Sequence, residues 1–340
     1  MNKLNIAIVC GGDSSEYEVS MHSAKGIYDA FDKERFNVYI AIVKTGDWHI
    51  LIDDQTTAAI DKNDFSFQKN GTKTNIDFAY ITIHGTPGEN GLLQGYLELL
   101  HIPYSTCNVL VEALTFDKFT LNNYLRGFGY NLADSVLLRK NGTNQTTADE
   151  IISRIGLPCF VKPAADGSSF GVSKVKKAEE LQPAIEKAFQ QCNEIMVEQF
   201  MEGTELAVGC FKTKTMSAVL PATEVVSHNE FFDYDAKYNG QVEEITPARI
   251  SEPTAREVAR LTGELYDLLH CSGIIRVDYI ITKNSDGTDK VNLLEINTTP
   301  GMTATSFIPQ QMRAAGIRLT DVLSAIVEDR YTSANAHPTR

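Results

Sequence analysis

The sequence is short of most features that would set it apart from ordinary globular proteins. Its 340 residues include no apolar run long enough to cross a bilayer, and "LNIAIVC" near the start is shorter than a typical signal-peptide core. No repeat or low-complexity tract interrupts it. The six cysteines (10, 107, 159, 192, 210 and 271) form no C-x-x-C pair and sit in mostly apolar surroundings, as expected of reduced, buried thiols in a cytoplasmic protein. Positive charge is scarce: 31 Lys and Arg against 44 Asp and Glu leave a formal charge of −13. That balance argues against a nucleic-acid or anionic-membrane binder, so a phosphate ligand would need a local cationic pocket. The first strand is not followed by G-x-G-x-x-G, and the glycine loop after Lys162 has no G-K-[ST]. A dinucleotide site is thereby weakened and a Walker loop rejected.

What is present is a chain long enough for two or three domains. Early on, "LNIAIV", "NVYIAIV" and "FAYITI" read as strands. Ala24, Ile27, Tyr28 and Phe31 follow helical spacing between the first two, and "NGLLQGYLELL" is an apolar helix. This βαβ rhythm predicts a Rossmann-like parallel-sheet domain over 1–106. Residues 107–198 mix helical stretches such as "VLVEALTFDKFTLNNYL" with short strands. From 199 to 335 strands dominate, with a helix at 254–271 and two more near the end, which points to α+β.

One stretch concentrates chemistry. In "GIIRVDYIITKNSDGTDKVNLLEINTTPGMT", residues 274–281 and 290–296 read as strands, and Asp286-Gly287 as a two-residue turn. That turn pairs Asp278 with Glu295 and Arg276 with Asn297, so all four side chains share one face. Two carboxylates at cross-strand distance repel unless a hard divalent cation makes them ligands. A solvated hairpin face is the competing reading.

Other positions suit a nucleotide. "CFVKPAADGSSFGVSKV" lies between strands and could fold over phosphates, with Lys162 as a point charge and Ser168 and Ser169 as hydroxyl donors; an ordinary exposed hairpin fits it too. "IMVEQFMEGTEL" ends in a glycine turn whose backbone could bond an adenine, with Glu205 placed for a ribose, although Glu198 and Glu205 also fit as plain surface acids. In "GGDSSEYEVS", Ser15 and Glu18 fit a capping box, while Glu16 would stand near a helix N-terminus and could meet a substrate ammonium.

Together these pieces resemble the ATP-grasp superfamily, and within it the D-alanine–D-alanine ligases. The likeness is carried in order by "GGDSSEYEVS", "HGTPGENGLLQGYLELLHIPYS", Asp117-Lys118, "VKPAADGSSFGVSKV", "FFDYDAKY", "RVDYI" and "LLEINTTPGMTATS". The resemblance implies an ATP-grasp fold behind the N-terminal domain, with ATP between the central and C-terminal domains. By position, Lys118 and Lys162 would contact phosphates, Glu198 and the Met201 backbone the adenine, and Glu205 the ribose. Asp278, Glu295 and Asn297 would hold two Mg²⁺ ions, with Mn²⁺ an acceptable substitute. Glu16 would bind the first D-alanine's ammonium and link to Ser168 and Tyr238. Ser306 would hold the second substrate's carboxylate, with His84 nearby, while Arg276 and the Gly301 N–H would stabilise an oxyanion.

The "FFDYDAKY" segment resembles the family's mobile lid, bringing Lys237 and Tyr238 over the site. A homodimer is likewise implied only by this likeness. Three positions depart from the family pattern: Gln199 follows Glu198 where a lysine is usual, Phe232 replaces a frequent tyrosine, and Thr299 a frequent serine. Tyr238 favours D-alanyl-D-alanine over D-alanyl-D-lactate, which relatives on the same scaffold make.

Overall fold

A computed structural model describes residues 3–53, 56–142, 146–165, 171–227 and 242–336. The described strands form three sheets. The first begins with β1 (Leu4–Gly11), followed by α1 (Tyr17–Ala30) and β2 (Phe36–Lys44). Four short strands come next: β3 (Asp47–Leu51), β4 (Thr57–Asp61), β5 (Ser66–Lys69) and β6 (Thr72–Thr74). β7 (Phe78–Ile81) and α2 (Leu92–Leu99) complete this part. The strand order is β6-β5-β4-β3-β2-β1-β7. Only β2, β1 and β7 are parallel; the rest is an antiparallel meander that the sequence reading had not picked out. Ile6 to Cys10 of β1 are completely buried, as a central parallel strand covered on both faces must be.

The second part holds α3 (Val109–Phe116), α4 (Lys118–Arg126), β8 (Ser135–Arg139), α5 (Ala148–Ile155), β9 (Cys159–Pro163), β10 (Ser173–Val175), α6 (Ala178–Ala188) and β11 (Glu194–Gln199). Its antiparallel sheet runs β10-β9-β11-β8. The helical run expected over 109–125 is broken at Asp117, whose extended backbone ends α3 and whose side chain caps α4 by accepting from the Thr120 N–H at 2.7 Å.

The third sheet contains β12 (Thr204–Lys212), β13 (Ser217–Val219), β14 (Thr223–Ser227), β15 (Val242–Ile245), β16 (Ile274–Lys283) and β17 (Asp289–Asn297). Its order is β15-β14-β12-β16-β17, with β13 paired to β12. α7 (Glu252–Leu268) covers one face; α8 (Phe307–Ala314) and α9 (Leu319–Ala336) follow β17. One hydrophobic cluster joins β1 and α1 to Ile308, Met312, Leu323 and Ile326, so the last helices pack on the first sheet. The turn after β17 therefore lies against the N-terminal loops.

Candidate active site

The hairpin of β16 and β17 shows the expected pairing by an unexpected route. Its turn is not the two-residue Asp286-Gly287 loop. The Asn284 N–H bonds the Thr288 carbonyl at 2.8 Å and the Gly287 N–H bonds the Asn284 carbonyl at 3.0 Å. Gly287 sits at φ +84°, so this is a three-residue loop that needs glycine at its left-handed position. The register therefore begins one residue short, with Lys283 opposite Asp289 and Tyr279 opposite Leu293. A β-bulge at Leu294 then restores it, and Asp278 faces Glu295 while Arg276 faces Asn297. A signal was present: the core-facing residues Val291, Leu293 and Ile296 are spaced by two and then by three.

All four side chains meet. Arg276 grips Asp278 through Nε and Nη2, each at 2.8 Å. Asn297 Nδ2 donates to Asp278 Oδ2 at 3.1 Å and to Glu295 Oε1 at 3.4 Å. Arg276 Nη2 lies 3.9 Å from Glu295 Oε1, and Lys118 Nζ approaches Glu295 Oε2 at 3.7 Å. Burial works against the Arg276 charge, but Asp278 and Glu295 outweigh it and hold the guanidinium above its ordinary range. Register places Glu205 and Ala207 of β12 on the same face, opposite Ile280 and Asp278. Lys118 reaches in because it opens α4, where its N–H bonds the Ala164 carbonyl at 2.9 Å.

This donor set fits a hard cation in part. Two carboxylates and one amide oxygen suit Mg²⁺, which completes its shell with phosphate oxygens and water. No cluster of three His, Cys, Asp or Glu side chains suited to a metal exists among the described residues. Asn297 presents its NH₂ to both acids, so ligation would need its amide turned over.

On the second sheet Lys162 and the buried Glu198 form a partly buried ion pair at 2.5 Å, with Asn122 Nδ2 donating to the other carboxylate oxygen at 3.3 Å. Lys162 pairs across strands with Met196, so Glu198, two residues on, shares its face. Met201 follows in the connection to β12.

The N-terminal loops supply the other wall. The capping box expected from Ser15 and Glu18 is not formed: Glu16 is the N-cap of α1 and makes no side-chain cap hydrogen bond. Ser14 organises the turn instead, donating to the His84 carbonyl at 2.7 Å and accepting from the Glu16 N–H at 3.2 Å. His84 is buried, and its Nε2 has no hydrogen-bond partner among the described residues. Glu89, which the sequence reading did not single out, accepts from the Gly85 N–H at 2.7 Å. Burial lifts its carboxyl above the usual range, His84 draws it down, and Glu16 adds to the rise, which places the three groups within electrostatic reach. A glutamate ending the polar loop "HGTPGEN" ahead of an apolar helix was the available clue.

Across from these loops, Ser306 is the N-cap residue of α8, with no side-chain cap hydrogen bond among the described residues. Its hydroxyl contacts the Thr303 N–H at 3.1 Å and would stand 2.9 Å from a Cβ placed on Gly301. The Met302 N–H donates to Ser23 Oγ of α1 at 3.2 Å, tying this turn to the first domain. The structure thus gathers Arg276, Asp278, Glu295, Asn297 and Lys118 into one contact cluster. Lys162 with Glu198, Glu16 with His84, and Gly301 with Ser306 form separate groups. Ser168, Ser169, Phe232, Lys237 and Tyr238 lie outside the described residues.

Comparison with known proteins closes the question of kinship. Residues 5–107 match the family described as D-ala D-ala ligase N-terminus, and residues 124–328 match D-ala D-ala ligase C-terminus. The D-alanine–D-alanine ligase of Phocaeicola vulgatus is 60% identical over 329 residues, covering 97% of this chain and 100% of the relative. Among solved structures, D-alanyl-alanine synthetase A of Vibrio cholerae is 28% identical with a TM-score of 0.86, covering 98% of this chain and 99% of its own. A Bacillus anthracis D-alanine–D-alanine ligase complexed with ATP is 30% identical with a TM-score of 0.76, covering 99% of each. With both of its halves matched and a near-full-length relative at that identity, the chain belongs to the D-alanine–D-alanine ligase family.

Proposed function

We propose that the chain makes D-alanyl-D-alanine for peptidoglycan precursors in the cytoplasm, driven by ATP, with the clustered residues in specific roles. The carrying observation is the Arg276–Asp278–Glu295–Asn297 cluster beside Lys118. A carboxylate is a poor electrophile because its charge is delocalised and oxide would have to leave. The first D-alanine, its ammonium held by Glu16, attacks the γ-phosphorus of ATP through its carboxylate and releases ADP. The second, its carboxylate held by Ser306 with His84 nearby, attacks the acyl carbon through a neutral amine. The carbon–oxygen bond of the acyl phosphate breaks, and inorganic phosphate leaves with the bridging oxygen and takes up the proton that the new amide nitrogen sheds.

Lys118 and Lys162 neutralise phosphate charge, Glu198 and the Met201 backbone meet the adenine, and Glu205 meets the ribose. For Lys162 this means loosening its ion pair with Glu198. Bound at Asp278, Glu295 and Asn297, two Mg²⁺ ions would supply charge neutralisation on the transferring phosphoryl group. Arg276 and the Gly301 N–H stabilise the tetrahedral oxyanion, a kind of contact whose loss typically costs about 3 kcal/mol of barrier. Ser168 and Tyr238 belong with Glu16 in this scheme, and Ser169 and Lys237 with the phosphates.

The reading includes three domains, 1–106, 107–198 and 199–335. It also includes a homodimer, for which the exposed leucines 92, 99 and 110 on α2 and α3 offer apolar surface. No described helix is long and apolar enough to cross a membrane. Coupled ADP release is expected with D-alanine and not with L-alanine, and D-lactate added to D-alanine should form no ester. Turnover with L-alanine alone would overturn the substrate assignment.

A further inference from the structure

We propose that Glu112, on α3, is a positioning residue for the ligation: it holds Thr298 and, through it, the turn that carries Asn297 and Gly301. The proposal rests on the roles given above for those two residues. Glu112 is 0% exposed and lies where α3 packs on β17. Its Oε2 accepts from the Thr298 hydroxyl at 2.5 Å, across 186 residues of sequence. Its Oε1 is buried and meets no partner at full hydrogen-bond geometry among the described residues, although the Thr106 hydroxyl lies close enough to draw the carboxyl down as a hydrogen bond would.

A carboxyl enclosed with only two hydroxyls for company is poorly solvated. Burial, then the neighbouring Cys107 thiol, push its carboxyl well above the ordinary range; Thr298 pulls the other way, Glu89 adds to the rise and Thr106 opposes it. Such a group is suited to hold a shape and not to bind a cation.

What it holds matters because Thr298 follows the proposed metal ligand Asn297 and precedes Gly301 by three residues. The turn is tied at two places: to α3 by Glu112, and to α1 by the bond from the Met302 N–H to Ser23. Between them lies a cavity of about 20 Å³ lined in part by Thr82, Thr106, Thr298 and Thr299. The Thr82 and Thr299 hydroxyls are buried there without a partner at full hydrogen-bond geometry among the described residues, with Thr299 close enough to Glu89 to draw its carboxyl down. Without its tether, Thr298 has room to shift toward that space, and displacements near 1 Å can cost about a hundredfold in rate.

The test compares Glu112→Ala, Glu112→Gln and Thr298→Val in steady-state ADP release, with thermal melts to confirm folding. Glu112→Ala and Thr298→Val should lower kcat roughly 10- to 100-fold while KM for ATP stays within about twofold. Glu112→Gln keeps the shape and an acceptor oxygen for Thr298, and should stay within about threefold of the unmodified chain. If the alanine variant fails to fold, Thr298→Val decides. Folded variants with unchanged kcat, or a glutamine variant as impaired as the alanine one, would overturn the proposal. An unmodified chain that releases no ADP with D-alanine would sink the functional reading instead.

Discussion

Two buried acids, Asp278 and Glu112, face opposite electrostatic surroundings. Asp278 is 5% exposed and meets a guanidinium through three hydrogen bonds and an amide through a fourth. Glu112 is sealed in with the Thr298 hydroxyl bond, the Thr106 hydroxyl and a thiol for neighbours. Burial alone favours the uncharged form of a carboxyl, and a fixed cation reverses that. Burial therefore lifts the Glu112 carboxyl well above the ordinary range at the α3 junction, while on the β16–β17 hairpin a guanidinium lies against Asp278. Each side of this contrast can be attacked by mutation.

The largest effect should follow Arg276→Ala, which removes both the partner of Asp278 and the proposed oxyanion donor. Peptide formation should fall by a hundredfold or more (about 3 kcal/mol or greater), with ATP binding largely kept. Calorimetric ATP titration beside turnover separates the two, and unchanged turnover would remove Arg276 from the chemistry. Next comes Asp278→Asn, which leaves a buried guanidinium short of its main counter-charge. A loss of about 3 kcal/mol is expected in urea unfolding of the C-terminal part. No loss would mean that Glu295 alone suffices for Arg276.

Glu112→Gln should behave in the opposite sense. A carboxyl whose folded value lies above its unfolded one stabilises the fold below the unfolded range, near pH 4. That contribution is lost as pH rises toward the folded value, by about 1.4 kcal/mol per pH unit. Glutamine does not titrate, so the variant should gain on the unmodified chain between pH 5 and pH 8, with the gap closing near pH 4. Cys107 and Glu89 face the same group and raise it further, so neither reverses the sign. A gap that widens toward acid would mean that Glu112 is ionised in the fold. The smallest effect belongs to Arg260, paired with Glu257 and Glu264 on the open face of α7. Arg260→Ala should shift the melting temperature by under about 2 °C, since exposed pairs contribute little.

Much of the hairpin cluster was legible because its residues are close in sequence. Arg276, Asp278, Glu295 and Asn297 lie on adjacent strands of one hairpin, and period-two alternation puts them on one face. The turn was misread, and a bulge at Leu294 compensated, so the pairing was right for an incomplete reason. The meander over residues 47–74 was missed because its strands are three to five residues long and mostly half-exposed, with little periodic signal. The Ser15–Glu18 cap was a sound local pattern overridden by Ser14, whose hydroxyl is drawn to His84 from seventy positions away.

By itself the sequence determined the strand and helix character of most elements, the chemistry gathered on the hairpin, and the family. These follow from patterns within about thirty residues or from ordered motifs. Only the tertiary structure decided that Glu112 meets Thr298, that Ser23 meets Met302, and that Lys162 is paired with Glu198. The physical reason is that burial and partner choice arise from packing between distant segments. A glutamate on an otherwise apolar helix is written identically whether it ends in water or sealed beside a threonine hydroxyl.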